Sequence, residues 1–358
     1  MNGPHELGDI IVSRYRIDGF VGEGGMQFVY RAYDQLLGRT VALKTPKNSS
    51  AEKRFRRSAI VSAKVNHPNV AKTLDYAEDA GRFYLIEELI EGDDLEGAIL
   101  KHTQYLDPFL IARILHYLAK GLAASHHVGV IHRDLKPTNI MVEGKFQIDA
   151  IKITDFGIAK MAQEEMTEAA EGGVGTLSTS ATAVGALPYM APEAIETPKE
   201  VSLKADIWSL GAMTYELLTG EKPFGSGLKA VSRILNVDYP DFPHFVTANP
   251  QFRYLSNELI DIVQSCLKLN PDERPSADEI VERCSSLCYP ISERFFGSVS
   301  DIRYNAYGFI KLVNNSRVFY HFDCVYGERP TLGERVLLSK YYGAGNERAL
   351  PVIKVKQV

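Results

Sequence analysis

The chain of 358 residues has only four cysteines, Cys266, Cys284, Cys288 and Cys324. That is too few for a disulfide framework in a chain of this length. Cys284 and Cys288 lie four apart, but no second ligand pair accompanies them, and two thiols alone do not fill a structural zinc site. No apolar run approaches the roughly 20 residues of a membrane span. The opening "MNGPHELGDIIVSRYRI" lacks the basic stretch and apolar core of a secretory signal. These absences lead to the expectation of a reduced, cytoplasmic protein with no membrane partner. One local absence is sharper. The stretch "RFRRSAIVSAKVNHPNV", residues 54–70, has five basic or potentially basic side chains and no acid. It reads as a short helix with Phe55, Ala59, Ser62 and Ala63 on one face, and taken alone it is a basic surface helix.

The composition is otherwise that of a globular protein, with 45% hydrophobic and 24% charged residues, and a chain this long is expected to form two or three packed units. Charge is uneven: residues 1–291 carry a net of −9 and residues 292–358 a net of +4, which suggests a separate C-terminal unit. Residues 14–91 are strand-rich, with "RYRIDGFVGEGGMQFVYRAYD", "TVALKTP" and "FYLIEELI". From 92 onward the period turns helical in "LIARILHYLAKGLAASHHVG", "KADIWSLGAMTYELLTG" and "ELIDIVQSCLKL". Strands followed by helices argue an α+β body with a sheet lobe and a helical lobe. Residues 161–186 are rich in small and polar residues, too poor in apolar surface to offset their ordering entropy. After "CYPISERFFG" the pattern returns to short aromatic and β-branched runs, the signature of a small all-β unit.

A glycine cluster, "GEGGMQFVY" at 22–30, separates two strand-like runs, and its bare N–H groups can approach phosphate oxygens closely. Alone it is weak, because glycine-rich hairpins are common. It is followed by "VALK" at 41–44, "HRDLKPTN" at 132–139, "DFG" at 155–157, "APE" at 191–193, "DIWSLG" at 206–211 and "DERP" at 272–275. In this order and spacing the strings resemble the eukaryotic-like protein kinases, over roughly residues 12–290, and look most like bacterial members of that family. The resemblance implies a two-lobed kinase domain at 14–290, split into lobes at 14–91 and 92–290, after an N-terminal tail at 1–13.

It also implies ATP and Mg²⁺ as cofactors and protein hydroxyls as substrate, in a reaction that is mostly positioning and charge neutralisation. Gly22, Glu23, Gly24 and Gly25 would line the phosphates, and Lys44 would hold the α/β-phosphates. Val29, Ala42 and Met141 would sandwich adenine, with hinge contacts from the backbone near Glu88 and Ile90. Asp134 would take the substrate proton, and Lys136, which matches the serine/threonine branch, would balance charge on the transferring group. Asn139 and Asp155 would hold metal. Glu193, Arg274 and Asp206 match structural positions of the helical lobe. Thr176, Ser178, Thr179, Ser180 and Thr182 are candidate phosphosites, with a homodimer as one route to trans-autophosphorylation.

Three positions depart from the family pattern. The third glycine of the loop is Gln27. Gly185-Ala186 replaces the usual Gly-Thr, removing a hydroxyl that bonds the catalytic aspartate and lysine. The helix glutamate that pairs with the lysine falls at Ser58, nine residues before His67. Glu87 then stands where the family has a large apolar residue at the back of the nucleotide pocket, with Lys44 as its natural partner. One register away, it is instead an exposed hinge residue. Lys44, Asp134, Asn139 and Asp155 favour an enzyme, whereas Ser58 and Ala186 favour a pseudokinase that binds nucleotide and signals by conformation.

In residues 291–358, "NAYGFI" followed by "VFYHF" resembles the cold-shock domain, a five-stranded OB-type barrel. The resemblance implies stacking of single-stranded RNA or DNA on Tyr307, Phe309, Phe319 and His321. The family's first-strand tryptophan and its lysine before the aromatic run are missing, and a protein-binding or autoinhibitory barrel is the alternative.

Overall fold

The computed structural model describes residues 3–24, 27–47, 55–56, 59–156, 185–343 and 345–356. The first lobe is a six-stranded antiparallel sheet in the order β1-β2-β3-β4-β6-β5. Its strands are β1 (Ile10–Ile11), β2 (Tyr15–Glu23), β3 (Gln27–Asp34), β4 (Arg39–Pro46), β5 (Thr73–Asp79) and β6 (Arg82–Glu88). Alternation places Tyr15, Ile17, Tyr30, Ala32, Val41, Leu43, Tyr84 and Ile86 in one core. The opposite face of β4 and β6 is also covered, so "VALKTP" is buried throughout. The first residues, read from sequence as a tail, join this lobe: Ile10 and Ile11 pair with Arg16 and Tyr15. The short helix expected in 54–70 is present at 55–56 and 59–62, with Phe55, Ala59 and Ser62 buried. Ala63 is exposed instead, because the chain leaves the helix in a turn at 63–64.

The second lobe is built on α1 (Pro108–His127), α2 (Lys204–Thr219), α3 (Pro250–Cys266) and α4 (Ala277–Ser286). A small sheet of β7 (Asp93–Asp94), β8 (Ile140–Glu143) and β9 (Ala150–Ile153) completes it. Sequence sets the helix ends. Pro108 stands at N1 of α1, and Asp107 accepts from Leu110 N. Gly220 closes α2 at φ 81°, where a Cβ would come within 2.7 Å of Gln104. Ser276 and Glu279 form a capping box on α4. The only tryptophan, Trp208, lies stacked on Phe224 at 5.3 Å with the Arg274 guanidinium 5.0 Å from its ring. Among the described residues no helix is long and apolar enough to cross a membrane.

The C-terminal strands are β10 (Phe295–Arg303), β11 (Tyr307–Leu312), β12 (Arg317–His321), β13 (Arg335–Gly343) and β14 (Asn346–Lys354). They close into a five-stranded barrel in the order β10-β11-β12-β14-β13. Val299, Ile310, Val318, Tyr320, Val336, Leu338, Ala349 and Val352 fill its interior. Gly308 is required where β11 crosses β10, since a Cβ there would meet Asp301 O at 2.3 Å.

The barrel is packed onto the helical lobe. Tyr326 is fully buried against Tyr105, Phe245 and Phe252 and donates to Leu218 O at 3.0 Å. Arg294 reaches Asp107, and its backbone exchanges two hydrogen bonds with the Gln147 amide at 2.7 and 2.9 Å. Lys356 donates from N to His102 O at 2.8 Å and from Nζ to Leu100 O at 2.9 Å. Leu337, Ile353 and Val355 belong to the same apolar core as α1 and α2.

Candidate active site

The cleft between the first two lobes gathers the motif residues. Strand register fixes one key pair. Ala42 on β4 lies opposite Glu87 on β6, and Lys44 lies opposite Leu85. Lys44 and Glu87 are therefore diagonal neighbours on one face, within reach of long side chains. Lys44 Nζ is 2.6 Å from Glu87 Oε2 and 2.7 Å from Asp155 Oδ1. Glu87 is 4% exposed, which excludes the exposed hinge position of the alternative register. Burial opposes the charge on Lys44, but Asp155 and Glu87 outweigh it and hold the ammonium protonated well above the ordinary lysine value. The two carboxylates differ. Burial pushes Glu87 up, with Lys44 opposing and the Asp155 charge adding. Asp155 is pushed up by burial too, but Lys44 and the Gln27 hydrogen bond prevail and hold it below its usual value.

Asp155 follows β9 with φ 62°, a left-handed conformation that turns its carboxylate back into the cleft. The next residue, Phe156, is buried with its ring 4.6 Å from His132, whose Nε2 pairs with Thr154 O at 2.8 Å. Across the cleft, Asp134 Oδ2 accepts from Lys136 Nζ at 2.7 Å and from Asn139 Nδ2 at 2.9 Å. Asn139 Nδ2 also donates to Asp134 O at 2.7 Å, so the loop is braced by its own side chains. A hydrogen bond from Thr154 N to Asn139 O at 2.9 Å ties this loop to the Asp155 segment. Beneath it, fully buried Asp206 accepts from His132 N and Arg133 N, both at 2.8 Å, and pairs with His126 Nε2 at 2.9 Å. Burial raises Asp206, but His126 first, then His132 and the Arg133 N–H, bring it below its normal value. Arg274, 1% exposed, forks onto Glu193 at 2.6 and 2.8 Å.

Val29, opposite Lys44 on β3, and Ala42 line the sheet side of the cleft, and Met141 on β8 lies in the helical lobe. Glu88 directs its carboxylate to Lys152 Nζ at 2.8 Å and accepts from Lys72 N at 2.7 Å. Ile90 O accepts from Gly92 N at 3.0 Å. Gly22 and Glu23 end β2, Glu23 pairs with Lys47 at 3.1 Å, and Gly24 N bonds Gln27 O at 2.9 Å. Gly25, Ser58, Thr176, Ser178, Thr179, Ser180 and Thr182 lie outside the described residues.

Two contacts were not read from sequence. Gln27 Nε2 donates to Asp155 Oδ1 at 3.1 Å, while its buried Oε1 has no partner among the described residues. Ser62 Oγ donates to Phe156 O at 3.2 Å, so the basic helix touches the Asp155 segment through a hydroxyl. The 128-residue separation of Gln27 and Asp155 hides the first from any local pattern.

Among the described residues no group of three or more His, Cys, Asp or Glu side chains could hold a metal ion alone. A carboxylate at Asp155 and an amide at Asn139 nevertheless match Mg²⁺, which binds few protein oxygens and fills its shell with water and phosphate oxygens.

On the barrel, Tyr307 lies opposite His321, and Phe309 opposite Phe319. The Tyr307 and Phe319 rings are 5.5 Å apart, and those of Phe309 and Phe319 5.9 Å. Arg317 and Arg348 lie over Phe309 and Phe319 at 4.5 and 5.2 Å, cations the aromatic pattern did not reveal. His321 turns to Asp323, with Nδ1 3.2 Å from its carboxylate.

The family model described as the protein kinase domain matches residues 15–284. The chain belongs to the protein kinase family. It is 34% identical over 255 residues to a probable serine/threonine-protein kinase, pknA2, of Bifidobacterium longum, covering 68% of this chain and 31% of that protein. It is 34% identical over 281 residues to the serine/threonine-protein kinase pkn3 of Myxococcus xanthus, covering 76% and 49% respectively. A probable serine/threonine-protein kinase, PknB, of Lactococcus lactis matches at 33% over 253 residues, or 69% and 38%. This kinase chain thus spans about a third to a half of the length of these curated relatives.

Proposed function

We propose that the chain is a serine/threonine protein kinase that transfers the ATP γ-phosphoryl group to protein hydroxyls, its own included. The observation that carries this reading is the braced set of Asp134, Lys136 and Asn139 facing Lys44 and Asp155 across one cleft. Asp134 Oδ2 accepts the proton of the substrate hydroxyl as that oxygen attacks. Lys136, 2.7 Å from the same oxygen, keeps the carboxylate in place and balances charge on the transferring group. Lys44 binds the α/β-phosphates. Asp155 and Asn139 would hold Mg²⁺, which when bound neutralises charge on the phosphates. Val29, Ala42 and Met141 enclose adenine.

We infer autophosphorylation within 176–182, where phosphate would pair with Arg133. A homodimer is one route by which one copy would act on another. The setting is the cytoplasm.

The barrel is read as a cold-shock-like OB fold that binds single-stranded RNA or DNA. The clustered rings of Tyr307, Phe309 and Phe319 beside Arg317 and Arg348 support this, as bases stack on such rings and phosphates meet such cations.

The test is labelled ATP with a generic Ser/Thr substrate, followed by identification of the phosphorylated amino acid. Label on serine or threonine is expected. Nucleotide binding without any transfer would replace this reading with the pseudokinase, which Ala186 in place of threonine favours.

A further inference from the structure

We propose that Glu87, on strand β6, is the positioning residue that holds Lys44 for the nucleotide, in place of any carboxylate from the helical residues 55–56 and 59–62 or from position 58. This rests on the kinase reading only in naming the phosphates as the lysine's ligand. The geometry itself is independent of that reading.

Lys44 has two anionic neighbours, and they are not equivalent. Asp155 lies in the loop after β9, and its side chain is 27% exposed. It is the carboxylate that the donor set assigns to a metal, so it is needed elsewhere once a metal–nucleotide complex enters. Glu87 has no such second task. Its side chain is 5% exposed, and its backbone lies in a ladder between β4 and β5. It cannot follow a loop or a helix, and it needs a cation where it stands, because an unpaired carboxylate buried at this depth is strongly disfavoured. Diagonal register on one sheet face makes Lys44 that cation without any movement of either strand.

The helix offers nothing comparable. Residues 54–70 contain no Asp or Glu. The described helix contacts to the cleft are the buried Phe55 and Ala59 and the Ser62 hydroxyl on Phe156 O. Displacing this helix would therefore break a hydroxyl bond and an apolar contact, while Lys44 kept its partner. The lysine is anchored within one sheet, and its readiness for phosphate does not depend on helix position.

The experiment uses the full chain with Glu87→Gln, which keeps shape but not charge, and Glu87→Met, which keeps apolar packing if the amide fails to fold. Three quantities are read: KM for ATP against kcat, the dissociation constant for ADP in the presence of Mg²⁺, where Asp155 is drawn to the metal, and the rate of Lys44 labelling by an amine-reactive nucleotide-site probe. The proposal expects about a tenfold or greater weakening of ADP and ATP in either variant, with faster labelling of a less constrained Lys44. It also expects that Ser58→Glu, at the position where the family helix carries its glutamate, changes turnover less than about threefold. ADP affinity within about twofold of wild type in both Glu87 variants would overturn the proposal. So would a rise of an order of magnitude or more in turnover on Ser58→Glu. If the wild type transfers no phosphate, the kinase reading fails, yet ADP affinity and Lys44 labelling still decide the role of Glu87.

Discussion

Arg294, just before the first barrel strand, grips the carboxylate of Asp107 with NH2 at 3.0 Å from Oδ1 and NH1 at 2.8 Å from Oδ2, and Asp107 is the residue that caps helix α1. Both partners are buried. A single carboxylate therefore starts the longest helix of the helical lobe and fastens the barrel to it. With Tyr326 inserted among Tyr105, Phe245 and Phe252, the barrel forms part of the same core as the kinase lobe.

Arg294→Ala should accordingly destabilise the whole chain, because it leaves a buried carboxylate without its cation. Removing one partner of such a pair costs about 3–5 kcal/mol. Denaturant unfolding followed by tryptophan fluorescence reads this directly, since Trp208 lies in the helical lobe. A midpoint equal to that of the wild type would show that the barrel is not fastened there.

Acid sensitivity is expected from the sheet lobe. Arg14 donates from Nε and NH2 to the two oxygens of buried Asp34 at 2.8 and 2.7 Å, and Leu36 N and Leu37 N add two bonds. These contacts, the arginine first, lower the Asp34 pKa to about 2. The folded value lies below the unfolded one, so the stabilisation is fully present above about pH 4 and is lost as pH falls toward 2. With Arg14 partly exposed, the loss amounts to roughly 1–2 kcal/mol. Asp34→Asn should be less stable at pH 7 and should lose less on acidification. Parallel stability–pH curves for the two proteins would contradict the assignment.

For the barrel, Phe309→Ala and Phe319→Ala should each weaken binding of a fluorescent single-stranded oligonucleotide about tenfold, since stacking is worth about 1–3 kcal/mol per base. Anisotropy titrations at fixed salt measure it. Wild type and double variant binding alike would remove the stacking account and favour a protein-binding barrel.

Much of this architecture was legible in the sequence, for identifiable reasons. Glycine spacing, the "HRDLKPTN" run and the long amphipathic helices are local patterns, and local patterns survive folding. Alternation also put Tyr307 with Phe309 on one face and Phe319 with His321 on one face, while their pairing across the strands, Phe309 opposite Phe319, came only with the fold. Glu87 was legible only to within one residue, because a strand's period of two turns a one-residue slip into a change of face; the ladder with Ala42 settles it. Docking of the barrel was not legible. No local pattern marks Tyr105, Asn249 or Tyr326 as contact residues, and only the fold places Asn249 Nδ2 against Val325 O. Nor were the Gln27–Asp155 and Ser62–Phe156 contacts, which join residues far apart in the chain with no repeating pattern to mark them.

The most direct test of the central claim is the intact mass of the full chain after incubation with ATP and Mg²⁺, wild type beside Asp134→Asn, with peptide mapping of the phosphates. The asparagine keeps the shape of the loop braced by Lys136 and Asn139 but cannot take a proton. The account predicts phosphate on the wild type, mapped to serine or threonine within 176–182, and almost none on Asp134→Asn. Equal phosphate on both proteins, or none on either, would contradict it.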